Sequence, residues 1–247
     1  MEHTNRSGVA RAAADAGFSP KNLSATPIYD LQSYEVQALA DVLRRSQPDD
    51  RGYVQAAHRH LSDANMKTVY SINDDQPASV TLRESKGSCV QRMAALEALA
   101  RAVGIATRVR ALWQAKRFWY HRLPLLKWGL PDSMLYTWPQ FRLGKAWVDF
   151  DELYEPMESM VAKATRPFSN AGESVFSAVQ DQPVDFLGKS PRYGHPEFDL
   201  SPIVTADGGL FDTRDELLAK LDHKPEFFGR LLFNLLYAGK PIRRVAE

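Results

Sequence analysis

The chain has 247 residues, 44% hydrophobic and 25% charged, enough apolar material for a core in one large domain or one and a half small ones. A formal net charge of +1 excludes a strong global field that would steer nucleic acid or an anionic membrane to it. No apolar run approaches the roughly 20 residues that span a bilayer, and a single cysteine excludes an internal disulfide or a cysteine-built zinc site.

The first residues, Met1 to Arg6, lack the basic-then-apolar pattern of a secretory signal, and with one cysteine this points to the cytoplasm. Residues 1–30 read as a polar, loosely attached arm. A helix is predicted over 34–45, where Val36, Leu39, Ala40 and Leu43 recur at helical spacing behind Ser33 as cap. Gln47-Pro48-Asp49-Asp50 breaks it. A second helix is expected over 51–61, with Tyr53, Val54, Ala57 and Leu61 on one side. His58 and His60 diverge by about 200° on that helix, so they are poor joint metal ligands and read as surface residues. An irregular stretch with turn residues Asn73, Asp74, Asp75 and Pro77 follows.

Cys89 then opens a helix. Ser88 is its N-cap, Gly87 lets the chain turn before it, and Met93, Leu96, Leu99, Ala100 and Val103 give a broad apolar face ending at Gly104. So much apolar and small-residue surface predicts a buried helix whose N-terminus opens into a cleft. The N–H groups exposed there stabilise a thiolate, which makes Cys89 the first candidate nucleophile. The alternative is a thiol packed as a small hydrophobe.

After Gly104 the period changes to two. Residues 105–113 read as a strand with Val109, Ala111 and Trp113 on one side, and 114–133 as a long basic and aromatic loop holding Phe118, Trp119, Tyr120, His121 and Trp128. That loop suits a lid over an apolar or anionic substrate better than a nucleic-acid platform. Strands are expected over 134–143 and 146–150, joined by a hairpin at Gly144-Lys145, with Pro139 marking an edge or a bulge. Residues 155–205 look mostly irregular, with His195 in a loop where it either closes on the cleft or stays exposed. Thr213-Arg214-Asp215-Glu216 is a capping-box pattern opening a short helix. Pro225 opens another over 226–238, striped by Phe228, Leu231, Leu232, Leu235 and Leu236. His223 near a helix end, and Lys240, Arg243 and Arg244 after the last helix, match helix dipoles. No phosphate-binding glycine loop and no metal-ligand cluster is present in the sequence, so neither cofactor nor metal is expected. Helices, a cysteine helix, then antiparallel strands make an α+β layout with the cysteine helix packed on an antiparallel sheet. The expected organisation is an arm (1–30), a core (31–155) and a C-terminal extension packed on the core (156–247).

Residues 78–91, closing on Gly87-Ser88-Cys89-Val90-Gln91, resemble the catalytic segment of transglutaminase-like proteins of the papain-like cysteine superfamily. The resemblance continues through Ala98-Leu99-Ala100-Arg101-Ala102-Val103-Gly104-Ile105-Ala106-Thr107-Arg108 and covers about residues 30–155. It implies a thiolate that attacks a carbonyl, a histidine that moves the proton and an aspartate that orients the histidine. Trp147-Val148-Asp149-Phe150-Asp151 matches the family's hairpin and places Asp151 at the aspartate position, with Asp149 two residues before it. Counted back from Trp147, the histidine position falls on Tyr136 and the family's glutamate on Gln140.

Three readings of the missing histidine stand side by side. His121 reaches the thiol from the long loop; or Tyr136 serves as proton donor or relay; or the site is degenerate and the protein a binding module. Trp113 and Gln140 are candidates for stabilising an oxyanion. The expected activity is cysteine-dependent acyl transfer through a Cys89 thioester, as acyl off-loading or Dieckmann-type cyclisation of a small-molecule or carrier-protein-bound acyl substrate, with neither nucleic acid nor membrane as partner. The alternatives are a transglutaminase-like peptidase or amidase, and a non-catalytic binding protein.

Overall fold

A computed structural model describes residues 17–171, 173–221, 233 and 235–240. Its elements in chain order are α1 (Tyr34–Ser46), α2 (Asp50–Ser62), β1 (Lys67–Thr68), α3 (Ala78–Glu84), β2 (Lys86–Gly87), α4 (Cys89–Ala102), β3 (Thr107–Ala115), β4 (Ser133–Leu143), β5 (Ala146–Asp149), α5 (Met157–Lys163), α6 (Val175–Ala178), β6 (Val204–Phe211) and α7 (Arg214–Leu221). This is a mixed α+β architecture. The four-stranded sheet runs β5-β4-β3-β6 with every neighbour antiparallel, while β1 and β2 form a short parallel pair. No helix among the described residues is long and apolar enough to cross a membrane.

The cysteine helix α4 is the axis of the core. Every residue from Val90 to Arg101 is buried, as expected of a helix that is apolar or small nearly all round. Its charged residues are buried only because each finds partners. Arg92 donates to Leu61 O at 3.2 Å and Ser174 Oγ at 3.0 Å. Glu97 is paired with Arg214 of α7, which also donates to Thr137 on β4. Arg101 donates to Thr107 Oγ1 at 2.7 Å and to the carbonyls of Lys21 and Ser24 at 2.9 Å, and its guanidinium lies 4.2 Å over the Tyr29 ring.

Those last contacts correct one expectation. Residues 17–30 are not loosely attached: Ile28 and Tyr29 are buried in the main core, and Asn22 donates to Asp212. Residues 1–16 lie outside the described residues, as do His223, Arg243, Arg244 and most of the helix expected over 226–238.

The expected elements from α1 to β5 are present within a residue or two, and Gly104 takes φ +83° just past α4. Gly87 has no left-handed backbone; a Cβ there would stand 3.0 Å from Thr81 Cγ2, so the glycine allows close packing of α3 rather than a sharp turn. Pro139 pairs with Val109 in an unbulged ladder, and β5 pairs only from Gln140 onward, so Pro139 sits where β4 is locally an edge. Helix α3 and strands β1, β2 and β6 were not expected. Thr213 caps α7 as its sequence predicts, accepting from Glu216 N–H at 3.1 Å.

His58 is a second correction. It is fully buried, against the expectation of a surface residue. Its Nε2–H donates to Phe176 O at 2.6 Å, Nδ1 meets the Tyr154 hydroxyl at 2.8 Å, and the ring packs 4.5 Å from Phe176. Burial pushes its pKa down to about 4, so the ring is a neutral core residue. His60 is exposed, as read from the sequence.

Candidate active site

Cys89 is the first residue of α4 and is half-buried. The helix start is closed by a reciprocal cap: Ser88 Oγ accepts from Gln91 N–H at 3.2 Å, and Gln91 Oε1 accepts from Ser88 N–H at 2.9 Å. Gln91 Nε2 also donates to Ser71 Oγ at 3.0 Å and Asn73 O at 2.9 Å, which fastens the 71–73 loop to the helix end. The N–H groups of Cys89 and Val90 have no intrahelical carbonyl to reach, so they can bind an anion formed at the thiol. A cavity of about 380 Å³ borders this loop, lined by Tyr70, Ser71, Asn73, Lys86 and Gln91 among others.

Three side chains share the electrostatic surroundings of Cys89. Arg92 lies one turn further along α4, and its guanidinium is 4.7 Å over the Phe176 ring. Burial pulls its pKa down and the charge of Cys89 pushes it back up. Tyr136 stands on β4 opposite Leu112 of β3, 1% exposed, and its hydroxyl has no hydrogen-bond partner among the described residues. Burial first, and the charge of Cys89 second, hold its pKa well above 10. It is therefore a neutral phenol that can donate a hydrogen bond but is a poor proton acceptor near neutrality. Tyr70 is the third; burial raises its pKa too, and its hydroxyl donates to Arg122 O at 2.9 Å.

The other candidates are placed elsewhere. His121 is exposed in the turn after Trp119 and makes no hydrogen bond to Cys89. The inward-pointing basic residue of that loop is its neighbour Arg122, 4% exposed, which donates to Asn170 Oδ1 at 3.1 Å and to Glu173 O. Trp113 pairs with Leu135 and joins Val109, Ala111 and Leu217 in a separate cluster. Strand alternation puts it on the sheet face opposite Leu112 and Tyr136, away from the thiol. Gln140 shares a face with Tyr136 but lies about 13 Å further along β4. It accepts from Arg108 Nε and donates to Asp149 Oδ1, so its amide is committed there. His195 makes an exposed pair with Glu197 at 3.0 Å.

Asp151, the expected orienting aspartate, lies in the turn two residues past the end of β5, and no histidine is hydrogen-bonded to it among the described residues. It is fully buried, and Lys189 Nζ lies 3.0 Å from it, 2.8 Å from Asp149 and 2.9 Å from Glu152. Burial raises the Asp151 carboxyl above its usual range, against the pull of Lys189, while the three carboxylates hold Lys189 charged. Lys189 falls in the stretch read as irregular, and nothing in its local pattern marks it. Arg92 is likewise invisible as a site residue in the sequence, though its spacing of three from Cys89 on a helix puts the two side chains on one face. No group of three or more His, Cys, Asp or Glu side chains among the described residues is placed to hold a metal ion.

The matched portion lies in the middle of the chain and is a little under half of it. Residues 37–152 match the family model of the transglutaminase-like superfamily. Comparison with curated proteins and with solved structures gave no match.

Proposed function

We propose that Cys89 takes an acyl group from a thioester and passes it on, a reading supported by the match of residues 37–152 to the transglutaminase-like superfamily, whose chemistry in general is cysteine-based. The observation that carries the reading is Tyr136: a buried phenol with an unpaired hydroxyl stands beside the thiol, where the family keeps a histidine. A peptide or amide substrate must expel an amine, which needs a proton from a group such as histidine. A thioester expels a thiolate whose conjugate acid has a pKa of about 8.5, so it leaves without that help. A site with a hydrogen-bond donor in place of an acid–base residue fits thioesters better than peptide bonds.

In the proposed step the Cys89 thiolate adds to the thioester carbonyl, with Arg92 as nearby positive charge. The oxyanion accepts from the Cys89 and Val90 N–H groups and from the Tyr136 hydroxyl. The bond from carbonyl carbon to the donor's sulfur breaks, and that thiolate takes up a proton from water. The acyl-Cys89 is then released by a carbon nucleophile of the acyl chain itself. The new C–C bond replaces the C–S bond, the carbon acid's proton ends on Sγ, and a cyclic product leaves. The donor is a small-molecule or carrier-bound thioester, and the half-burial of Cys89 leaves room for its arm.

The test is intact-mass measurement of the protein mixed with an N-acetylcysteamine acyl thioester or with a peptide amide. One acyl mass is expected on the wild type from the thioester alone, none on Cys89→Ala, and a rate about 100-fold lower on Tyr136→Phe. His121→Ala is expected to keep the wild-type pH profile. Faster reaction with the amide, or no acylation by any thioester, overturns the proposal.

A further inference from the structure

Several buried polar atoms without partners gather around Tyr136. Gln114, fully buried on β3, leaves both its amide oxygen and its amide nitrogen unpaired. The ladder pairs Leu112 with Tyr136 and Gln114 with Met134, so Gln114 and Tyr136 share one face of the sheet as diagonal neighbours. Just past the end of β3, Trp119 brings its ring to 5.8 Å from the Tyr136 ring, and its buried Nε1–H is unpaired as well. An orphaned buried donor or acceptor is costly, and native cores carry few of them. Three side chains in this state, Tyr136 within the electrostatic reach of the nucleophile and the other two next to Tyr136, form a polar surface built to receive a complement.

The surroundings give the complement its chemistry. Leu112, Phe118 and Phe186 belong to the same core cluster as Tyr136, with half-buried Leu187 and Val204 against it. The polar inventory is rich in donors: one from the indole, two from the amide nitrogen and one from the phenol, against two acceptors, the amide oxygen and the phenol oxygen. Such a surface recognises a ligand with an apolar body and an excess of acceptor oxygens close to the reacting carbonyl.

We propose that Gln114 and Trp119, with Tyr136, form a recognition subsite for a second carbonyl oxygen on the acyl group, so that the preferred donors are 3-oxoacyl thioesters rather than plain acyl thioesters. This rests on the acyl-transfer reading and names its substrate class. In the bound state Gln114 Nε2–H and Trp119 Nε1–H donate to the 3-oxo oxygen, while the Tyr136 hydroxyl is left for the thioester carbonyl.

The experiment compares Cys89 acylation by acetoacetyl and butyryl N-acetylcysteamine thioesters in the wild type, Gln114→Met and Trp119→Phe, with the melting temperature of each unliganded protein. A wild-type preference for the 3-oxoacyl donor that falls at least tenfold in both variants is expected. Gln114→Met removes orphaned polar atoms from the free protein, so its Tm is expected to rise by about 2–4 °C. Acylation by both donors with equal rates, or a preference that survives both substitutions, overturns the subsite. If neither donor acylates Cys89, the acyl-transfer reading fails, and the subsite is judged by binding alone. Acetoacetamide should then raise the Tm of Cys89→Ala and lose that effect when Gln114→Met is added; no shift in Cys89→Ala overturns it.

Discussion

His58 shows how a single side chain can set the chain's response to acid. It is neutral in the folded core with a pKa pushed down to about 4, against 6.5 when exposed. A depressed pKa means that its contribution to stability is complete above pH 6.5 and drains away as pH falls toward 4, by up to about 3 kcal/mol. Urea unfolding at pH 7 and pH 4.5 should show this loss, and His58→Gln, which does not titrate, should shrink the difference between the two pH values by about 2 kcal/mol. Equal differences in variant and wild type would place the acid sensitivity elsewhere. The same residue marks a limit of what spacing reveals. Its position on α2 was legible, but its burial depends on Tyr154 and Phe176, about 100 residues away, which no local pattern announces. Cys89 was legible from the helix start it occupies, whereas Tyr136 and Asp151 came into view only through the resemblance of the hairpin around Trp147 to the family's pattern. What became of the missing histidine was not legible. The expected substitute His121 points to solvent, and the expected aspartate is taken by Lys189.

Elements repeat that division. Helices α1, α2 and α4 announce themselves through periodicity, α4 also through its Ser88 cap, whereas Ser33 at the start of α1 makes no side-chain cap bond; β4 and β5 are announced by the turn at Gly144. Strand β6 does not: its sequence Val204–Phe211 contains Gly208 and Gly209 and is mostly open to solvent, so it has no alternation to read. It joins the sheet through its backbone, and Gly208 brings it so close to β3 that a Cβ would stand 2.9 Å from Ala111 Cβ. The turn after β5 depends on the distant loop carrying Lys189. Its ammonium is the shared counter-charge of Asp149, Asp151 and Glu152, whose side chains are 16%, 0% and 26% exposed. Removing one partner from a buried ionic group strands the others. Lys189→Met is therefore expected to lose about 3 kcal/mol at pH 7. The stranded carboxyls would have raised pKa values, so the penalty is absent when they are protonated and grows as pH rises. The gap to wild type should narrow at pH 5 in chemical denaturation; a gap that is constant with pH would show that lost packing, not charge, is responsible.

At the scale of the whole molecule, the matched region ends at residue 152 but its buried charges do not stop there. Arg92 relies on Ser174, Glu97 on Arg214 and Asp151 on Lys189. A fragment ending at residue 155 would strip Arg92 of one of its two acceptors and Glu97 and Asp151 of their ion-pair partners, a cost of several kcal/mol that is a large part of the stability of an entire domain. Residues 17–155 alone are expected to show no cooperative thermal transition by circular dichroism, whereas 17–240 should melt in a single step. A sharp transition in the short fragment would show that the matched region folds by itself.

Gln91 closes α4 with its amide oxygen and grips the 71–73 loop with its amide nitrogen. Cap and loop are thus two ends of one latch. A molecule entering the neighbouring cavity and drawing the loop outward works against the helix cap, and fraying of the helix start slackens the loop. By reciprocity, the loop's position and the firmness of the helix end where Cys89 sits must influence each other equally.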